Sequence, residues 1–217
     1  MIWLSIVLVP IIVALVGFML RPSYIHRGLT HQEWTSQWAG DHLVEGASPS
    51  GSRAIVIQAP AHEVWSWITQ IGQDRAGFYS YRWLENLVGA QMPSVNEKRP
   101  EWSTREVGQK LIMAPPKRFG KMAAMDIVEA VDGQYFVAKN FEGTWAFIIE
   151  PIDETSCRFV ARGMWLPSAN PIVRIAHAAI FDPIHYFMEW KMIREVKIIA
   201  ETAFKKNIRD IPHSSQV

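Results

Sequence analysis

The chain has a single cysteine, Cys157, so an intrachain disulfide framework and any multi-thiolate metal site are excluded. It lacks a charge surplus of either sign. Its 22 Lys and Arg residues face 21 Asp and Glu residues, for a net charge of +1, and nucleic acid is therefore excluded as the main partner. No internal repeat is present, nor a Gly-x-Ser-x-Gly elbow, a phosphate-cradling Walker loop or a dinucleotide fingerprint. The seven histidines form no His-x-x-x-His pair and join no carboxylate cluster, so neither a metal nor a cofactor is expected. Cys157 reads as a buried, inert thiol in mid-strand, and His177 and His185 read as satisfied structural histidines. What the 217 residues do contain is apolar bulk, with 49% hydrophobic residues and ten tryptophans, which calls for a large core or a greasy cavity.

The run Ile2–Leu20 carries no charge, and at helical rise it reaches roughly 29 Å, the thickness of a bilayer's hydrocarbon core. A cleaved signal peptide would want a basic start and a small-x-small exit. The chain begins Met-Ile-Trp-Leu and leaves the run through bulky Phe18, Met19 and Leu20. An uncleaved anchor over residues 1–21 is the expectation. Arg21, His26 and Arg27 follow it, which by the positive-inside rule leaves the remainder of a single-pass protein in the cytoplasm.

Residues 22–52 read as a juxtamembrane connector. Thr30 and Glu33 fit a capping box for a short helix through about Trp38, and Gly46–Ser52 has linker composition. Residues 53–210 form the main domain and 211–217 a tail. In that domain Arg53–Gln58 reads as a strand, Pro60 opens a helix closed by Gly72, and Ser80 caps a second helix ending at Gly89. Five strands are expected near 109–114, 122–129, 134–140, 144–150 and 157–165, with turns at Asp132-Gly133 and Asp153-Glu154. Alternation puts Trp145, Phe147 and Ile149 on one face and Cys157, Phe159, Ala161 and Trp165 on one face of the next strand, with Arg158 and Arg162 on an opposite, wet face. A helix at 171–181, a break at Asp182-Pro183 and a long helix to about Lys206 follow, the last with Lys191–Glu195 and Glu201–Lys205 as surface pairs. The layout is α+β.

This order of elements resembles the SRPBCC superfamily, which includes START lipid-transfer domains and aromatic polyketide cyclases. The resemblance rests on Ala54–Trp65 as first strand and helix start. It rests further on the block Gly72–Leu87, which is similar to a largely uncharacterised bacterial membrane-anchored subgroup, and on Pro100-Glu101-Trp102 and Phe187–Met192. It implies a helix-grip, that is, a curved antiparallel sheet around a long C-terminal helix, preceded here by the transmembrane helix. It also implies a cavity that binds hydrophobic molecules.

Candidate ligand-binding residues are Tyr79, Tyr81, Asn86, Trp102, Trp145, Phe147, Phe159, Trp165, Met188 and Met192. The aromatics and methionines would form apolar walls, and the tyrosines and Asn86 would meet a polar end group. The same residues could instead fill a solid core, and the Asp74–Asn86 block could simply be pinned by Asp–Arg and Arg–Glu pairs. Asp126, Glu129 and Glu189 are the carboxylates nearest the cavity elements, and none is nominated as catalytic. Two features could touch lipid. One is the basic loop of Lys110, Lys117, Arg118 and Lys121 around Pro115-Pro116. The other is 171–181, apolar nearly all round, for which burial under the sheet edge is favoured over a place in the bilayer interface. The expected function is membrane-anchored binding, with or without transfer, of a small hydrophobic ligand such as a lipid or isoprenoid. The alternatives are a cyclase- or dehydratase-type enzyme using the same cavity, and an accessory subunit with a membrane-protein partner.

Overall fold

The structure, a computed structural model, describes residue 12 and residues 15–210. Its elements in chain order are α1 (His31–Thr35), β1 (Ser48–Ile57), α2 (Ala61–Ile68), α3 (Arg82–Leu87), β2 (Lys110–Ile112), α4 (Pro116–Phe119), β3 (Ala124–Val131), β4 (Tyr135–Lys139), β5 (Gly143–Asp153), β6 (Ser156–Trp165), α5 (Pro171–Ala176) and α6 (Asp182–Arg209). The strands make one antiparallel sheet in the order β1-β6-β5-β4-β3-β2. Register shifts at Pro49/Gly51, Ile127/Glu129 and Pro151/Asp153 add residues to one strand of a pair, which bends the sheet. Helix α2 and the middle of α6 close the concave face, and this is the helix-grip arrangement expected from the sequence.

Both turns fall where expected, with Asp132-Gly133 between β3 and β4 and Glu154 between β5 and β6. The face assignment also holds. Phe147, Ile149, Cys157, Phe159 and Ala161 all enter the concave-side core with Phe136, Met192 and Val196. Thr30 and Glu33 form the capping box reciprocally, Thr30 N–H donating to Glu33 Oε2 at 2.7 Å and Glu33 N–H to Thr30 Oγ1 at 3.2 Å.

Four expectations are corrected. First, strand β1 starts at Ser48, so all of the expected linker but Gly46 and Ala47 is sheet, paired from Ser48↔Trp165 onward. Second, the sheet's convex face is not wet. Arg162 is only 2% exposed and its guanidinium is saturated. Nε and Nη2 donate to Asp41 at 2.8 and 2.7 Å, and further N–H groups reach the Trp34 and Ser36 carbonyls and Ser52 Oγ. Arg158 pairs with Glu33 and donates to the Gly28 carbonyl at 2.8 Å. The connector therefore lies across this face and buries a second apolar cluster of Leu29, Val137, Ile148 and Val160. Gly28 permits the approach, since a Cβ there would sit 2.0 Å from the Ala54 carbonyl oxygen. Ser52 and Ala54 donate their N–H groups to the Ile25 and Arg27 carbonyls, which covers the otherwise open edge of β1.

Third, the helix at 171–181 is not buried: every residue of Pro171–Ala176 is exposed, Ile172 at 75%. Fourth, no break separates it from α6, because residues His177–Phe181 pass through a π-helical turn straight into Asp182. On α6, Lys191–Glu195 pairs as expected, whereas Glu201 pairs back to Lys197.

The expected membrane span lies largely outside the described residues. Its described end, 15–20, continues as helix to residue 24. Among the described residues no helix is long and apolar enough to cross a membrane.

Candidate functional site

Between the concave face and the first half of α6 is a cavity of about 270 Å³. Phe78, Ala90 and Met92 come from the chain around α3, Met113, Ala114 and Phe119 from beside β2 and α4, and Trp145 from β5. His185, Met188, Glu189 and Met192 come from one stripe of α6, at the three- and four-residue spacing that keeps side chains on one helix face. Val88 and Glu85 of the α3 region border it, and Val88 is itself solvent-exposed, which marks the mouth. The walls are almost entirely carbon and sulfur, so water inside gains few hydrogen bonds and an apolar guest replaces it favourably.

At the inner end lies a buried polar group. Arg53 and Glu189 form an ion pair, each almost fully buried, and Trp145 Nε1 donates to Glu189 Oε1 at 2.8 Å. The Tyr186 ring lies under the Arg53 guanidinium at 5.2 Å, and Arg53 Nε has no partner among the described residues. Of the three carboxylates read as nearest the cavity elements, Glu189 lines the cavity. Asp126 pairs with Lys110 at the surface and Glu129 with His42. Burial raises the Glu85 carboxyl to about 7. Burial also lowers the His185 imidazole, against the opposing pull of Glu189 and Asp182. One carboxyl able to exchange a proton near neutral pH, Glu85, thus borders the apolar space, and the buried His185 imidazole there is biased toward its neutral form.

Of the ten candidate residues, the structure brings Trp145, Met188 and Met192 together on the cavity wall. Phe147 and Phe159 lie directly behind it: Phe147 stacks on Phe136 at 4.8 Å and Phe159 on Phe147 at 6.4 Å, so they support the wall from the core. Trp165 packs at the margin of the same core. Tyr81 stacks on Phe187 at 4.5 Å, joining α3 to α6. Tyr79 sits in a left-handed backbone (φ 50°) that turns its ring into the core against Trp67. Its hydroxyl is buried without a partner among the described residues, and burial pushes its pKa upward. Asn86 accepts from Met92 N–H and donates to the Met92 carbonyl, holding the loop after α3 shut. Trp102 lies under the Arg99 guanidinium at 4.8 Å, and its carbonyl accepts from Arg75.

Reading the sequence missed Glu85, His185 and Ser80. Ser80 is not a helix cap: its hydroxyl donates to the Met188 carbonyl at 2.7 Å, and α3 begins after Tyr81. The usable signal is the three-residue step from His185 to Met188, which puts His185 on the same helix face as the candidates Met188 and Met192. Cys157 is buried, and burial raises its thiol to about 11. Among the described residues no three His, Cys, Asp or Glu side chains gather as a metal site. A second hollow, about 410 Å³, opens beside the basic loop and is lined by Gln73, Gln91, Lys117 and Arg118. Pro115, Pro116 and Gly89 complete its lining.

No protein-family model matches the chain, and no curated protein does. Among solved structures it is similar to a polyketide-cyclase-like protein of Corynebacterium glutamicum, at 15% identity over 78% of this chain and 99% of that one, with a TM-score of 0.33. It is similar also to a START superfamily protein of Mycobacterium smegmatis, at 11% identity over 72% of this chain and 97% of that one, TM-score 0.29. A conserved protein of unknown function from Enterococcus faecalis shares 10% identity over 75% and 85% of the two chains, TM-score 0.35. These are likenesses of fold at low identity, and they bring no ligand or reaction with them.

Proposed function

We propose that this chain is a membrane-tethered binding protein for a small hydrophobic molecule of the lipid or isoprenoid type. The observation that carries the reading is the 270 Å³ apolar cavity between sheet and α6, with a mouth at Val88. Affinity comes from removing apolar surface from water, at roughly 25 cal/mol per Å². Trp145, Met188 and Met192 supply much of that surface, and methionine adapts to guests of irregular shape. The uncharged run Ile2–Leu20 is read as the tether, with Arg21 and Arg27 favouring a cytoplasmic position for the cavity. Native mass spectrometry of the detergent-extracted full chain, with titration of the neutral dye Nile red, tests the reading. A co-purifying apolar molecule, or saturable dye binding abolished by Ala114→Phe, supports it. A full chain that carries no apolar molecule and fails to bind the dye overturns it.

A second reading has its own observation. Glu85 and His185 border the same cavity, and burial raises the Glu85 carboxyl to about 7, which suits it to proton transfer in a cyclase or dehydratase. Turnover of a bound ligand that disappears in Glu85→Gln while binding persists would favour the enzyme.

A further inference from the structure

The segment 171–181 carries only Arg174 and His177 as polar side chains, and its remaining surface is aliphatic or aromatic. Asn170 caps it by accepting from Ile172 N–H at 2.9 Å, so its start is a formed helix end. Ile172, Val173, Ile175, Ile180 and Phe181 are all exposed. A helix apolar around its circumference has no face to offer water.

Its neighbour is the end of the N-terminal apolar run. A Cβ on Gly17 would stand 2.9 Å from Pro183 Cγ and 3.2 Å from the Ala179 carbonyl oxygen, so the two segments cross in direct contact there. Arg21 Nε donates to Asp182 at 2.6 Å, His177 Nδ1 lies 3.2 Å from the same carboxylate, and Tyr24 stacks on Tyr186 at 4.8 Å. The chain that continues toward the N-terminus from this crossing is uncharged to Ile2, and its described residues Ile12, Leu15, Val16, Phe18, Met19 and Leu20 are exposed. Two apolar segments therefore meet at this edge of the domain. The charged groups Arg21, Asp182 and His177 lie at their base, and Arg174 is exposed along the second.

We infer that 171–181 lies in the interfacial layer of a lipid bilayer as a second membrane element beside the N-terminal run. This rests on the tether proposed above. Arg174 and His177 would sit at headgroup level while the isoleucines and Phe181 enter the acyl boundary. Because α6 continues from Phe181 without a break, the helix that forms the cavity wall starts at the membrane.

The test places a bimane label at Ile175→Cys in the full chain, with Ile152→Cys on the sheet as reference. Both positions are exposed, and buried Cys157 stays unlabelled. The protein is reconstituted in vesicles of equimolar phosphatidylcholine and phosphatidylglycerol. The expected result is a blue-shifted emission at 175, quenched by a nitroxide carried near the lipid headgroup and protected from iodide, with the label at 152 quenched by iodide. A vesicle-bound protein whose 175 label is open to iodide overturns the inference and leaves the tether standing. A label shielded from both quenchers also overturns it, since protein then covers the segment. A chain that fails to float with vesicles overturns tether and inference together.

Discussion

The two faces of the sheet each bury an arginine, and they treat it differently. On the convex face the Arg162 guanidinium is fully satisfied by a carboxylate, two carbonyls and a hydroxyl, most of them from the connector. On the concave face Arg53 meets one carboxylate, has no partner for Nε among the described residues, and stands behind the cavity that its partner Glu189 lines. A saturated network has nothing left to offer a ligand and serves to hold two segments together. An incompletely satisfied one beside a void retains capacity for a guest. The contrast assigns cohesion to one face and recognition to the other.

Removing the anion of the convex network tests that division most severely. Asp41→Ala leaves a buried guanidinium unpaired and should cost about 3–5 kcal/mol. Urea unfolding of the full chain measures it, and adding Arg162→Met should restore part of the loss. If Asp41→Ala were instead neutral, the connector would be an ornament on the sheet and the contrast would fail. Filling the cavity should have the opposite profile. Ala114→Phe should weaken Nile red binding by about tenfold or more, while stability falls by at most about 1–3 kcal/mol from overpacking.

Glu85 sharpens the comparison through pH. Its folded pKa of about 7 stands above the ordinary 4.5, so the folded state holds a proton that the unfolded chain has released. Its contribution is fully present below pH 4.5 and is lost as pH rises through 7. Glu85→Gln should therefore gain on the parent by about 1–2 kcal/mol between pH 4 and pH 8. Glu33, on the other face, runs the other way. The Arg158 guanidinium holds its carboxyl down at about 2, so its contribution is present above 4.5 and lost as pH falls toward 2. Glu33→Gln should cost about 0.5–1 kcal/mol at neutral pH and nothing in strong acid, read from thermal melts across that range.

What was legible in the sequence was local. The capping box at Thr30 and Glu33, the hairpin at Asp132-Gly133 and the alternation through Phe147 and Phe159 each depend on residues a few positions apart. The covered convex face was not legible, because Arg158 and Arg162 look like solvated charges until Glu33 and Asp41 arrive from more than a hundred residues away. The site was half legible for a related reason. Helical spacing places Met188 and Met192 on a wall, but whether Phe147 touches a guest or stands one layer behind depends on the rings that pack on it, here Phe136, Trp145 and Phe159. For Pro171–Phe181 the pattern misled: its apolar circumference suggested burial, and among the described residues only the neighbourhood of Gly17 reaches it, which leaves Pro171–Ala176 exposed.

The connector has a mechanical consequence. A chain meant as a leash would let its cargo tumble at any height. Here the segment from Ile25 to Leu43 is stapled to the sheet by Arg158, Arg162 and the backbone bonds to β1. It behaves as a bracket, so that tilting the helix at 15–24 tilts the sheet with it, and the doorway at Val88 turns with them.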